Sequence, residues 1–220
     1  MASPCLIVAD DHPLFREALT HTLKTAFDQA EIAEAGSFDE VVLLLEGRDD
    51  IDLVLFDLKM PGVQGLSGLV YMRAQYPGVP VVVVSASDEP AMIRRALDLG
   101  ASGYIPKSTT AAAMQNAVAG VLRGDIWWPP GLEREGAGDC AATDLARRLT
   151  ALTPQQVRVL MMLREGLPNK QIAYKLGVSE ATVKAHVSAI LLTLDVESRT
   201  QAVIAAGRID GDDGAMKERA

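Results

Sequence analysis

The chain has 220 residues, with 29 Asp or Glu against 21 Lys or Arg and a formal net charge of −8. Hydrophobic residues make up 49% and charged residues 23%, a balance that can bury a core and excludes a disordered polyelectrolyte. No apolar run approaches the roughly 18 residues needed to span a membrane, and two cysteines, Cys5 and Cys140, are too few for a disulfide scaffold or a zinc knuckle.

The opening segment MASPCLIVADDHP carries no basic n-region and no long apolar stretch. A secretory leader and a membrane association are therefore not expected, and a reducing cytoplasmic setting is. Charge is unevenly spread: residues 1–107 hold 16 acidic and 8 basic side chains, whereas residues 150–209 hold 4 and 7. An acidic block ahead of a mildly basic one suggests two domains, with any polyanionic partner sought by the second.

In chain order, Leu6–Ala9, Leu53–Phe56 and Val81–Val84 are short, continuously apolar runs. Such runs suit strands of a parallel sheet covered on both faces. Ile32–Ala35 and Ser102–Ile105 are weaker strand candidates. Between them the apolar period turns helical, as in Phe15, Leu19, Leu23 and Phe27, in Ile93, Ala96 and Leu97, and in Met114, Ala117, Val118 and Val121. Five strands alternating with five helices predict an α/β domain, a doubly wound five-stranded parallel sheet over residues 4–123. Residues 124–149, with Pro129–Pro130 and several glycines, read as a linker. Trp127 and Trp128 are expected to pack on the last helix of the first domain.

From Thr150 the pattern is all helical. Thr153, Pro154 and Gln156 form a capping box with proline at the first helical position. A helix then runs to about Glu165 and stops at Gly166. A short helix turns inward Ile172, Ala173 and Leu176, and Gly177–Val178 make a turn. Ser179 caps the next helix, over 180–194, which buries Val183, Val187, Ile190, Leu191 and Leu194. A last helix begins near Ser198. This predicts a small all-α domain over 150–207, followed by a disordered tail over 208–220.

In an open parallel sheet, ligands sit beyond the carboxyl ends of the strands, where strand order reverses. Asp10 and Asp11 close the first strand, Asp57 the third and Ser85 the fourth, and Lys107 follows the fifth. Three carboxylates in one crevice repel one another and call for a cation. An all-oxygen site with room for water suits Mg²⁺, and a lysine with a hydroxyl beside it suits a phosphoryl group.

The motifs DDHP at 10–13, LFDLKMPG at 55–62, VSAS at 84–87 and GYIPKS at 103–108 resemble the receiver domain of two-component response regulators. The resemblance covers residues 4–123, and it implies a flavodoxin-like fold in which Asp57 takes a phosphoryl group from a sensor histidine kinase. It further implies that Asp10, Asp11, Asp57 and the backbone carbonyl of Lys59 hold Mg²⁺. Lys107 would pair with the phosphoryl oxygens and Ser85 would hydrogen-bond one of them. Tyr104 would be the switch aromatic that turns inward when the hydroxyl residue moves. His12 is expected at the surface or in packing, outside the metal shell.

The segment LTPQQVRVLMMLREGLPNKQIAYKLGVSEATVKAHVSAILLTLDVESRTQAV resembles the LuxR-type helix-turn-helix at the C-terminus of NarL/FixJ-type regulators. The resemblance makes 180–194 the recognition helix. Lys184 and Ser188 would read base edges, with Ala185 beside a thymine methyl, while Lys170, Thr182 and Arg199 would hold phosphates. Pro168 departs from the common Ser or Thr and offers no side-chain cap, and Ala189 and Thr193 stand where basic residues are common, so the motif is less basic than usual. The implied protein is a DNA-binding regulator with no catalytic residue. It would be a homodimer when phosphorylated or bound to double-stranded DNA, and its resting receiver could cover the recognition helix. Two alternatives remain at this point: a phosphotransfer or protein-binding regulator whose helical domain does not bind DNA, and a haloacid-dehalogenase-like phosphatase. The latter normally carries a D-x-D motif on its first strand, where this chain has ADDHP.

Overall fold

A computed structural model describes residues 3–132 and 140–208. The expected tail, apart from residue 208, and the part of the linker at 133–139 lie outside the described residues. The strands are β1 (Cys5–Ala9), β2 (Glu31–Ala35), β3 (Leu53–Asp57), β4 (Val81–Ser85) and β5 (Gly103–Pro106). They alternate with helices α1 (Pro13–Ala26), α2 (Phe38–Glu46), α3 (Ser67–Gln75), α4 (Pro90–Asp98) and α5 (Ala111–Leu122). All strand pairs are parallel, in the order β2-β1-β3-β4-β5. The chain leaves β1 in one direction to reach β2 and returns past it to β3, so the switch point falls between β1 and β3.

The period of two along each strand divides the core. Leu6, Val8, Leu53, Leu55, Val82, Val84 and Ile105 face α1 and α5, meeting Leu19, Leu23, Met114, Ala117, Val118 and Val121. Ile7, Ala9, Val54, Phe56, Val83 and Tyr104 face the other way, toward Phe38, Val41, Leu69, Met72, Ile93 and Ala96 on α2, α3 and α4. Burial on both faces is why these strands are apolar throughout rather than alternating. Cys5 is a free, buried thiol in this core, and burial raises its pKa.

Past α5 the chain adds a single backbone bridge to the sheet. Tyr104 N–H donates to the Trp127 carbonyl (3.0 Å), and Trp127 N–H donates to the Ser102 carbonyl (3.1 Å). Trp127 then packs on the α1/α5 side, as expected of it, whereas Trp128 packs on the opposite cluster. A residue alternation of two sends neighbouring side chains to opposite faces, which the expectation for both tryptophans overlooked.

The helical part comprises α6 (Cys140–Thr150), α7 (Pro154–Arg164), α8 (Asn169–Leu176), α9 (Glu180–Leu194) and α10 (Arg199–Arg208). Helix α6 lies within the segment read from the sequence as linker. Its stripe is short (Leu145, Ala146 and Leu149), and the glycines and charges ahead of it mask the period. The capping box of α7 has both arms, Gln156 N–H to Thr153 Oγ1 and Thr153 N–H to Gln156 Oε1. Gly177 ends α8 at φ 65°, where a left-handed residue is needed. Ser179 accepts from Thr182 N–H to start α9. Val183, Ile190 and Leu194 are buried, with Val187 and Leu191 half-buried beside them.

The helical domain rests on the receiver-like domain through α7 and α6 on α3, and α6 on α4. Val70, Leu149, Val157, Leu160, Met161 and Ala206 line the seam, and Arg164 Nη1 donates to the Gln64 carbonyl (3.3 Å). Helix α9 packs mainly on α6, α7, α8 and α10.

Candidate functional site

The switch point gathers four of the expected residues. Asp10 and Asp57 are 1% and 2% exposed at the ends of β1 and β3, and Ser85 is 3% exposed at the end of β4. Asp11, one residue further along, opens to solvent. The Lys107 ammonium lies between the two buried carboxylates, 2.6 Å from Asp10 Oδ2 and 2.8 Å from Asp57 Oδ2; the second contact has hydrogen-bond geometry and the first is an ion pair. Lys59 N–H donates to Asp57 Oδ1 (3.2 Å). Lys107 also stands over the Phe15 ring at 4.6 Å, a cation–π contact that the helical stripe in the sequence did not reveal.

The electrostatics follow from burial. Desolvation pushes the Asp57 carboxyl above its ordinary value, against the opposing pull of the Lys107 hydrogen bond and charge. Burial also works to lower the Lys107 pKa, but the Asp57 hydrogen bond and the ion pairs with Asp10 and Asp57 outweigh it and the net direction is up. The pocket is short of positive charge: one ammonium serves three carboxylates.

Oxygen atoms of Asp10, Asp11 and Asp57, together with a ring nitrogen of His12, lie within 4.8 Å of one another. Asp10 Oδ2 is buried and makes no hydrogen bond. Three carboxylates converging on one point are a donor set that fits a hard divalent cation. His12 is at the surface, as expected, yet its Nδ1 is 2.7 Å from Asp11 Oδ1 and 3.3 Å from Asp10 Oδ1. It belongs to the edge of the cluster, which the sequence reading did not foresee.

Tyr104 is fully buried, and its hydroxyl donates to the Ser87 carbonyl (2.8 Å). Ser85 Oγ accepts from Ser87 N–H (3.2 Å), so both expected switch residues meet at the same loop.

On the helical domain, Thr182, Lys184, Ala185 and Ser188 all lie exposed along one side of α9, and Lys170 is exposed near the start of α8. None is covered by the receiver-like domain in this arrangement. Lys184 Nζ lies 3.4 Å from Glu180 one turn back. The Ser179 and Thr182 hydroxyls are 2.8 Å apart. Arg199, expected on a phosphate, donates within the helical domain through Nη2 to the Leu167 carbonyl (2.6 Å) and through Nη1 to Asn169 Oδ1 (3.3 Å). Pro168 gives α8 no side-chain cap, and Arg199 ties the α7–α8 turn to α10 from outside.

A strand-end aspartate paired with a lysine, on a domain docked to a helix-turn-helix with an open recognition helix, defines a phosphoacceptor-controlled DNA-binding protein. The comparisons agree. Residues 6–119 match the family described as response regulator receiver domain, and residues 150–206 match the luxR family of bacterial regulatory proteins. The chain belongs to the two-component response regulators that carry a luxR-family DNA-binding domain, of the NarL/FixJ type; it is a transcription regulator and not an enzyme. It is 42% identical to the glycerol metabolism activator of Pseudomonas putida over 93% of this chain and 96% of that protein. It is 32% identical to the nitrate/nitrite response regulator NarL of Escherichia coli K12 over 90% and 93%. Among solved structures, RcsB from Salmonella typhimurium shares the fold over 94% of this chain and 100% of its own, with a TM-score of 0.56 at 22% identity. A LuxR family DNA-binding response regulator from Silicibacter pomeroyi covers 58% of this chain and 98% of its own, with a TM-score of 0.52 at 31% identity.

Proposed function

We propose that Asp57 is the phosphoacceptor and that its phosphorylation by a sensor histidine kinase controls pairing of the chain on double-stranded DNA. The observation that carries this reading is the Asp57 carboxylate, buried at the switch point with the Lys107 ammonium 2.8 Å away. A carboxylate oxygen of Asp57 attacks phosphorus in line; the O–P bond forms as the N–P bond to the kinase histidine breaks, and the imidazole keeps the electron pair. Asp10, Asp11, Asp57 and the Lys59 backbone carbonyl would hold Mg²⁺, which when bound neutralises charge that would otherwise keep two anions apart. Lys107, released from its ion pairs, would take phosphoryl oxygens, and Ser85 would hydrogen-bond another.

On DNA, Lys184, Ala185 and Ser188 would face base edges while Lys170 and Thr182 hold phosphates. A solved structure holds two RcsB dimers on two parallel DNAs, and that shared fold supports a homodimeric DNA-bound form here. The cytoplasm, where its DNA lies, is the compartment this role requires.

The test is labelling of the full chain with a small phosphodonor and Mg²⁺. Asp57→Ala abolishes acid-labile phosphate. Asp52→Ala does not, because Asp52 accepts from Cys5 N–H (2.8 Å) at the far end of β3. Undiminished labelling of Asp57→Ala would sink the assignment.

A further inference from the structure

The two aspartates of the β1–α1 turn are steered by a residue outside the acidic cluster. Arg16, in the first turn of α1, donates through Nη1 to the Asp10 backbone carbonyl (2.6 Å) and through Nε to Glu34 Oε2 on β2 (3.0 Å). On its other side, Asp10 N–H donates to the Ala35 carbonyl (3.0 Å). The Asp10 backbone is therefore gripped at both ends. Its Oδ1 accepts from His12 N–H (2.8 Å), leaving Oδ2 as the buried oxygen without a hydrogen bond.

An arginine paired only with a half-exposed glutamate contributes little to stability. Arg16 differs in where its shortest bond ends. It is a charge-assisted bond to the carbonyl that joins Asp10 to Asp11, so moving it moves both carboxylates. Groups that hold a metal-ligating residue from behind set its orientation as surely as the ligand itself does.

We propose that Arg16 is a positioning residue for the divalent-cation site: it fixes the Asp10–Asp11 peptide, and Glu34 holds its guanidinium in place. The proposal rests on reading Asp10, Asp11 and Asp57 as that site.

The experiment is calorimetric titration of the full chain with Mg²⁺ alone, alongside melting curves in a chelator. Arg16→Met keeps the stem and removes the fork. It weakens Mg²⁺ binding about 10-fold or more and leaves the chelated melting temperature nearly unchanged. Arg16→Lys restores part of the affinity, since an ammonium can reach the carbonyl but cannot span to Glu34 as well. Glu34→Ala, which removes the outer acceptor of the guanidinium, lowers affinity less than Arg16→Met and carries the test should that variant fail to fold. Wild-type Mg²⁺ affinity in Arg16→Met, or in Glu34→Ala where it stands in, would overturn the proposal. Asp10→Asn binding Mg²⁺ as tightly as wild type would be a separate failure, of the cation site itself.

Discussion

Tyr76, partly buried, offers the clearest pH signature away from the acidic pocket. Burial, followed by the neighbouring Tyr71 and Glu46, pushes its phenol up to about 12, and its buried hydroxyl has no hydrogen-bond partner among the described residues. The folded pKa lies above the unfolded value, so the group's contribution is intact below pH 10 and is lost as pH rises toward about 12. Tyr76→Phe should therefore melt no lower than wild type at pH 7 and lose less stability between pH 10 and 11.5, checked by thermal denaturation across that range. A second expectation separates two lysines. Lys184→Ala relaxes preference at one base position, costing about 1–3 kcal/mol on the preferred site, whereas Lys170→Ala weakens all duplexes alike and flattens the salt slope by roughly one unit. Equal losses on specific and random duplexes for both variants would remove the distinction. The acidic pocket was legible because Asp10, Asp57, Ser85 and Lys107 end or follow apolar runs, and topology alone brings such positions together. The tie that Arg199 makes inside the helical domain was not, because a guanidinium's partner depends on neighbours distant in sequence. Arg199 finds the Leu167 carbonyl 32 residues away.

Strands were legible by their apolar composition more than by their burial: β5 is buried throughout yet read weakly, because it is short and opens on glycine. The strands buried on both faces, β1, β3 and β4, appear as apolar runs within a residue of their observed bounds. Edge strand β2 is more exposed and read weakly. Helix α6 was missed because its stripe of Leu145, Ala146 and Leu149 is short and follows a run of glycines and charges. Close approach of elements leaves a different trace. A Cβ on Gly68, in the first turn of α3, would stand 2.5 Å from the Phe56 ring on β3. Alanine ordinarily favours a helix over glycine by about 1 kcal/mol, but Phe56 is fully buried and cannot yield. Gly68→Ala should therefore destabilise the chain by about 1–3 kcal/mol. Gly78→Ala, with nothing within 4 Å of the added Cβ, should stay within about 0.5 kcal/mol of wild type. Urea denaturation of the two variants decides it; equal midpoints would mean that α3 shifts off the sheet at no cost.

At the scale of the whole chain, the seam between the domains decides what phosphorylation can control. The helical domain docks through α6, α7 and the Ala206 side of α10, while Thr182, Lys184, Ala185 and Ser188 on α9 stay exposed. Covering of the recognition helix by the resting receiver, as the resemblance allowed, is not the arrangement found. Control that does not unmask the reading helix must act on the number of helices delivered together. One helix of this kind, with few basic residues, holds DNA weakly, and a second copy on an adjacent half-site gains through effective concentration. The resting chain should thus bind its preferred duplex weakly and with a shallow salt dependence. Phosphorylated chain should bind about tenfold tighter or more, with a steeper salt slope because two sets of phosphate contacts release counterions together. Gel shift across a salt series, with analytical ultracentrifugation of the complexes, measures both quantities. Two chains per site only after phosphorylation supports pairing as the switch. Equal affinity and one chain per site in both states would reject it, and would leave the docked seam, not the pairing, as the element on which Asp57 acts.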